Sequence, residues 1–321
     1  MSTCKRAGKR PPHASRDHYQ QITDKVVAAL EAGVRPWQKP WNPDKCGGPA
    51  MPINGATGHK YRGINVLMLG MSQLAFASHD PRWQTYKQAS EKGWQVRSGE
   101  HGTTVFFFKQ IELGETDDAG DDSDGIKRIP ILKSYTVFHA SQIDGIPPFV
   151  VPDVVAAPWR RPDAADLILK NSGIEIRMGG ERAFFSPSTD HIQMPPDSAF
   201  HSPEHWSATA LHEFAHATAA PCRLNRDITG RFGSHAYARE EIRAELSSLL
   251  VGSELGLPTD IPNHASYLHS WIEVLKSDKR EIFRAAAEAQ KIADYILALH
   301  PDYRSSAEET DEDSTPIKTA A

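Results

Sequence analysis

The run Ala210–Leu211–His212–Glu213–Phe214–Ala215–His216–Ala217–Thr218 constrains this chain more than any other segment. It holds H-E-x-x-H among strong helix formers, with no Gly or Pro to interrupt them. On an α-helix, residues four apart stand one turn above each other on a single face, so His212 and His216 can grip one metal ion between them. Glu213 lies about 100° further round and projects beside that ion, where it can take a proton from water. Apolar neighbours at Ala208, Ala210, Leu211, Phe214, Ala215 and Ala217 call for a helix packed into a core. The chain must therefore fold around a buried helix that carries a metal-ligating stripe.

A catalytic zinc site takes three protein ligands and keeps a fourth position open. The stretch Tyr237–Leu250 is a second helix, with an apolar stripe at Ile242, Leu246, Leu249 and Leu250 and carboxylates at Glu240, Glu241 and Glu245. Glu241 and Glu245 share a face. Glu241 is the expected third ligand and Glu245 the expected outer carboxylate, holding the free nitrogen of a metal-bound imidazole. Glu240 competes for the ligand role. The pattern resembles that of gluzincins, in which an E-x-x-x-D/E/N helix follows the H-E-x-x-H helix. Metzincins would need a third His six residues after the second, where Cys222 stands. Zn2+ is the expected cofactor, with Mn2+ or another divalent transition metal as a substitute. Tyr237 and His235 are the nearest candidates to stabilise a transition state, Tyr237 being preferred.

Charge is divided unevenly. Residues 1–110 hold 16 Lys and Arg against 7 Asp and Glu, whereas residues 111–125 hold 7 acids and no base. The remainder is also acidic, and the net charge is −5. A basic first third suits contact with a polyanion. The three cysteines, Cys4, Cys46 and Cys222, form no C-x-x-C pair, which argues against a disulfide framework and for a reducing, cytoplasmic setting. The basic N-terminus lacks the apolar run of a secretory signal, and no segment has the apolar length of a membrane span.

Residues 1–16 read as a disordered basic arm. A domain over 17–146 follows, with helices after Asp17, over Ile64–Ala77 and over Thr85–Lys92. Strands are expected at Thr104–Leu113 and Ile131–Ala140, around an acidic loop at 114–125. Five prolines between 146 and 162 mark residues 147–162 as a linker. The second domain, 163–300, opens with a helix from Asp163 capped by Gly173. Short strands follow at Ile174–Met178, Ala183–Ser186 and His191–Met194, then the metal helix, then helices over Ala265–Ser277 and Glu281–Leu299. Residues 301–321 read as a disordered acidic tail. The fold class is α+β.

In the first domain aromatics alternate with bases: Trp37, Lys39 and Trp41; Tyr61 and Arg62; Trp83 and Lys87; Trp94 and Arg97. Single-stranded DNA is bound by such mixtures, since cations track phosphates while unpaired bases stack on rings. No recognition helix or zinc finger of a duplex reader is evident. A Trp in a small domain is core more often than platform, so the competing expectation for each of these rings is a place in the core.

Between about residues 17 and 300 the chain resembles the ArdC-type antirestriction proteins of conjugative plasmids. The first domain carries W-x-x-P-W (Trp37–Trp41), Tyr61–Arg62–Gly63–Ile64–Asn65, Trp83–x–Thr85, the Gly93–Gly102 segment and Phe138–x–x–x–Gln142. The second carries Ala183–Phe184–Phe185–Ser186–Pro187, Asp190–x–Ile192, Pro195, HEFAH, Arg223–Leu224 and Y-A-R-E-E-I-x-A-E-L. The first part is also similar to plasmid primases of the TraC type. The resemblance implies a single-stranded-DNA-binding domain joined to a zincin-like metallopeptidase domain, protecting incoming plasmid DNA from host restriction. The implied peptidase substrate is a protein, with the host restriction machinery as the candidate. In zincins the edge strand beside the metal helix pairs with an extended peptide; here that strand is either Ala183–Ser186 or His191–Met194. The rival expectation is a protein that protects by coating DNA, with a metal domain that is structural or peptidase-silent.

Overall fold

Ile22, Val26, Val27 and Leu30 recur at helical spacing, and α1 (His18–Glu31) buries that stripe, each side chain contributing ~1.5–3 kcal/mol. The Asp17 side chain caps it by accepting the Gln20 amide at 3.1 Å. The computed structural model describes residues 17–37, 51–73, 75–76, 78, 80–113, 127–150, 162–231, 233–259 and 268–304. The basic arm, Trp41, the acidic loop, most of the Pro-rich linker and the tail from 305 lie outside these residues.

After α1 come β1 (Ile53–Asn54), α2 (Ile64–Gln73), β2 (Arg82–Thr85), α3 (Tyr86–Glu91), β3 (Gln95–Val96), β4 (Thr103–Leu113), β5 (Lys127–His139) and β6 (Ile143–Asp144). Four strands form a sheet of order β1-β2-β5-β4, in which β1 and β2 run parallel and the other pairs antiparallel. The expected strands are present as β4 and β5. The strands β1, β2, β3 and β6 were not expected, because two to four residues are too few for a period of two to show. The short α3 is fixed locally by a capping box between Thr85 and Gln88. At the free edge of β4, Asn65 from α2 donates to the Phe106 carbonyl and accepts its N–H, both at 2.7 Å. A side-chain amide thus stands in for a further strand and blunts the edge.

The second part contains α4 (Asp163–Ser172), β7 (Glu175–Met178), β8 (Phe184–Ser186), β9 (His191–Met194), α5 (Pro203–Ala217), α6 (His235–Leu255), α7 (Leu268–Ser277) and α8 (Glu281–Leu297). Asp163 and Asp166 in the first turn of α4 and Lys170 in its last complement the helix dipole, and Gly173 ends it at φ +68°. The three strands have the order β7-β9-β8, so β9 is central and β8 is an edge. Ile192 and Met194 of β9 are fully buried, and both β8 and β9 pack against α5.

One apolar core runs through both parts. Helix α1 packs on α7, and α2 on α8. Trp37 meets Trp271 edge to face at 5.2 Å. Around these contacts Lys60 pairs with Glu254 at 2.5 Å, Arg62 with Asp294 at 2.6 Å, and the Gly63 amide donates to Gln290 at 2.8 Å. Among the described residues no helix is long and apolar enough to cross a membrane.

Candidate metal centre

Helix α5 starts at the N-cap Ser202 with Pro203 in its first turn, and its interior is almost wholly buried. Helix α6 lies against it in the opposite sense: His212 meets Ser248, while His216, one turn later, meets Glu240 on the earlier part of α6. This crossing brings one ligand atom each from His212, His216 and Glu241 within 4.8 Å of one another. A Glu241 oxygen lies 3.8 Å from His216 Nε2. The three residues expected to bind the metal are therefore brought together from two helices.

The outer contacts orient them. Ser248 Oγ donates to the Ala244 carbonyl at 3.0 Å, so it accepts from His212 Nδ1, also at 3.0 Å. Glu240 accepts from His216 Nδ1 at 3.1 Å. Both contacts leave the Nε2 lone pair of the ring for a cation. Glu240 is itself gripped by Arg226, with contacts of 2.7 and 3.1 Å, and the same guanidinium donates to the Ala215 carbonyl at the end of α5. Burial raises the Glu240 carboxyl, but the His216 and Arg226 contacts outweigh this and hold it low, ionised. Burial likewise pushes the His216 ring down, but the Glu240 hydrogen bond and the charges of Glu241, Glu240 and Glu213 prevail and lift it to about 9. Two imidazoles and a carboxylate, in surroundings rich in negative charge, fit a divalent transition metal.

The outer role expected of Glu245 is a correction. Both Nδ1 atoms are met by other groups, Ser248 and Glu240, so Glu240 is not a solvated carboxylate but the partner of His216. Glu245 is buried one turn beyond Glu241. Ser248 and Arg226 were not anticipated. Ser248 continues the Glu241–Glu245 face at a further three residues, a spacing that would have found it. Arg226 sits in a loop and carries no such signal. Tyr237 lies one turn before Glu241 on the same face of α6, half-buried. His235 turns instead toward Glu273 of α7, at 3.6 Å.

Glu213 is tied to the edge strand, its Oε2 accepting the Phe185 amide at 3.0 Å. Of the two strands considered for the cleft edge, β8 is the one with an open side among the described residues, since β9 is paired on both. The hairpin of β8 and β9 is fastened to the end of α5 by Arg223, which forks onto both Asp190 oxygens at 2.8 and 2.9 Å and donates to the Ala217 carbonyl.

The Zincin-like metallopeptidase family matches residues 163–288, and the N-terminal domain of anti-restriction factor ArdC matches residues 16–138. The antirestriction ArdC protein of plasmid R388, in its metal-free crystal structure, is 40% identical, with a TM-score of 0.72 over 88% of this chain and 97% of that one. The chain belongs to the ArdC family. A Mn(II)-bound structure of the same R388 protein matches at 39% identity and a TM-score of 0.70, covering 88% and 98% of the two chains. The protein y4eC of Sinorhizobium fredii is 40% identical over 91% of this chain and 95% of its own length. A DNA primase TraC of Escherichia coli is 43% identical over 88% of this chain, which spans only 27% of the primase.

In this ArdC-family chain the rings proposed to stack on DNA are mostly core. Trp37 and Trp83 are 1% and 0% exposed, and Tyr61 is buried with its hydroxyl 3.4 Å from the Trp83 carbonyl, its pKa pushed up by burial to about 12. Trp37 cements the two parts through Trp271, and Trp83 packs edge-on against Phe76 and His139. None of the three can present a ring face to a base. Arg62 is spent on Asp294, and Arg97 on Glu100 and Asp144 at 2.8 and 3.4 Å. Trp94 is half-buried against Ala89, Val96 and Ile143. Lys87 stands free of the core, with Glu91 as a loose neighbour at 3.6 Å.

Proposed function

We propose that this chain protects incoming plasmid DNA from restriction by binding single-stranded DNA and cleaving a protein substrate at the α5–α6 centre. The observation that carries the proposal is the convergence of His212, His216 and Glu241 beside Glu213 in a member of the ArdC family. His212 and His216 through Nε2, and Glu241 through a carboxylate oxygen, would hold Zn2+, or Mn2+ as in the R388 relative. When bound, such an ion supplies Lewis acidity, polarising a carbonyl and acidifying a water to a pKa near ~7.

The chain's own groups do the rest. Glu213, held to the edge strand through the Phe185 amide, would accept the proton. Glu240 and Ser248 fix the two rings in the tautomer that turns Nε2 inward. Arg226 keeps Glu240 ionised and braces α5. An extended peptide would lie along the side of β8 away from β9, a side with no partner strand among the described residues. Tyr237 is the nearest candidate to meet the developing oxyanion.

The test is Glu213→Gln. The amide oxygen can still accept from Phe185, so fold, metal content and DNA affinity should persist. Loss of a general base costs ~10²–10⁴-fold in hydrolysis, so protection during conjugation into a restricting host should collapse. A Glu213→Gln protein that protects DNA as well as the wild type would make hydrolysis dispensable and leave DNA coating, with a structural or peptidase-silent metal domain, as the mechanism.

A further inference from the structure

The buried tryptophans leave open where a base can stack, and the β4–β5 ribbon answers it. Phe107 and Tyr135 are 48% and 45% exposed and touch edge to face at 5.5 Å. They are close neighbours on one sheet face: Phe107 pairs with Lys133 and Val105 with Tyr135, and directly paired residues share a face. Strand β2 pairs with β5 only at residues 137–139, so the ribbon at Phe107 and Tyr135 extends beyond the third strand. Neither ring is part of the apolar core.

The surroundings favour a polyanion. On the same face the register places Thr103, Val105, Lys133 and Val137, and Lys133 is exposed directly across from Phe107. That set holds one cation and no carboxylate. The acidic run begins at Glu112, five residues past Phe107. At ~3.3 Å per residue this is about 16 Å away along the strand, some two Debye lengths at physiological salt.

We infer that Phe107, Tyr135 and Lys133 form a stacking platform for single-stranded DNA, the rings taking bases and the ammonium a phosphate. This inference rests on the proposal that the chain binds single-stranded DNA. It replaces Trp37, Tyr61 and Trp83 as the contact surface. Both rings are exposed, so their removal should leave the fold intact.

The experiment uses the full chain and a fluorescein-labelled oligothymidylate, with affinity measured by anisotropy at several salt concentrations. Phe107→Ala and Tyr135→Ala should each weaken binding about tenfold without changing the salt slope, because stacking is not counterion release. Tyr135→Phe should bind as the wild type does. Lys133→Ala should lower the slope by about 0.7 log units per tenfold salt change, the worth of one phosphate contact. A bromouracil-substituted oligonucleotide should photo-crosslink to peptides containing Phe107 or Tyr135. If the double alanine variant binds like the wild type and crosslinks fall elsewhere, the platform is wrong while DNA binding stands. If wild-type protein ignores the probe at low salt, the DNA-binding proposal itself falls, and the platform with it.

Discussion

Raising the pH on the metal-free protein should remove stability that a single residue, His216, supplies. In the folded chain burial lowers its pKa, but the Glu240 hydrogen bond and the Glu241, Glu240 and Glu213 charges override this and hold it at about 9, against 6.5 for a free imidazole. A folded-state pKa above the unfolded value adds stability that is complete below pH 6.5 and lost as pH climbs through 9. At ~1.4 kcal/mol per pH unit, that interval is worth about 3 kcal/mol at most. Urea unfolding in chelator, between pH 6 and pH 10, would measure it. The reference is His216→Gln, whose amide can still donate to Glu240 but does not titrate. The advantage of wild type over the variant should shrink by about 3 kcal/mol across that range, with an unchanged denaturant slope. With metal present the loss should largely vanish, because the ring is held without its second proton. Parallel wild-type and variant profiles would refute the reasoning and place the buried proton on Glu240 or Glu241.

Glu241→Ala should abolish stoichiometric metal retention after dialysis, whereas Glu240→Gln should weaken it by only ~10–100-fold, the usual scale for an outer partner; equal losses measured by metal analysis would undo the division of roles. Ser248→Ala should act like Glu240→Gln through His212, and an unaltered metal affinity would show that the Ser248 contact is incidental. Trp37→Ala should cost ~3–5 kcal/mol in chemical unfolding while leaving the salt slope of DNA binding unchanged, since it removes a ring from the junction with Trp271; a stable variant that has lost DNA affinity would return Trp37 to the surface.

The metal centre was legible because its signal is local. H-E-x-x-H on α5 and the carboxylates of α6 need only helical geometry to be placed, and Glu241 was preferred to Glu240 for the face it shares with Glu245. The assignment between Glu240 and Glu245 was not legible. It depends on how α5 and α6 cross, and neither periodicity nor spacing within one helix encodes a crossing. Three of the rings expected to meet DNA proved buried for a related reason. Trp37, Tyr61 and Trp83 alternate with bases in sequence, yet composition does not distinguish a ring turned to solvent from one packed on Trp271 or His139. Their neighbouring bases serve the junction, as Lys60 with Glu254 and Arg62 with Asp294 show. The exposed pair Phe107 and Tyr135 lay in strands whose apolar character reads as core. Short strands such as β1 and β3 exist only through tertiary pairing and leave no periodic trace.

The most direct test of the central claim is a crystal of this chain soaked in Zn2+ or Mn2+, with anomalous scattering recorded at the metal edge. The structure predicts a single strong peak within coordination distance, ~2.0–2.2 Å, of His212 Nε2, His216 Nε2 and a Glu241 oxygen, with Glu240 still on His216 Nδ1. A peak ligated by Glu240 or Glu245 in place of Glu241, or no peak between the two histidines, would contradict it.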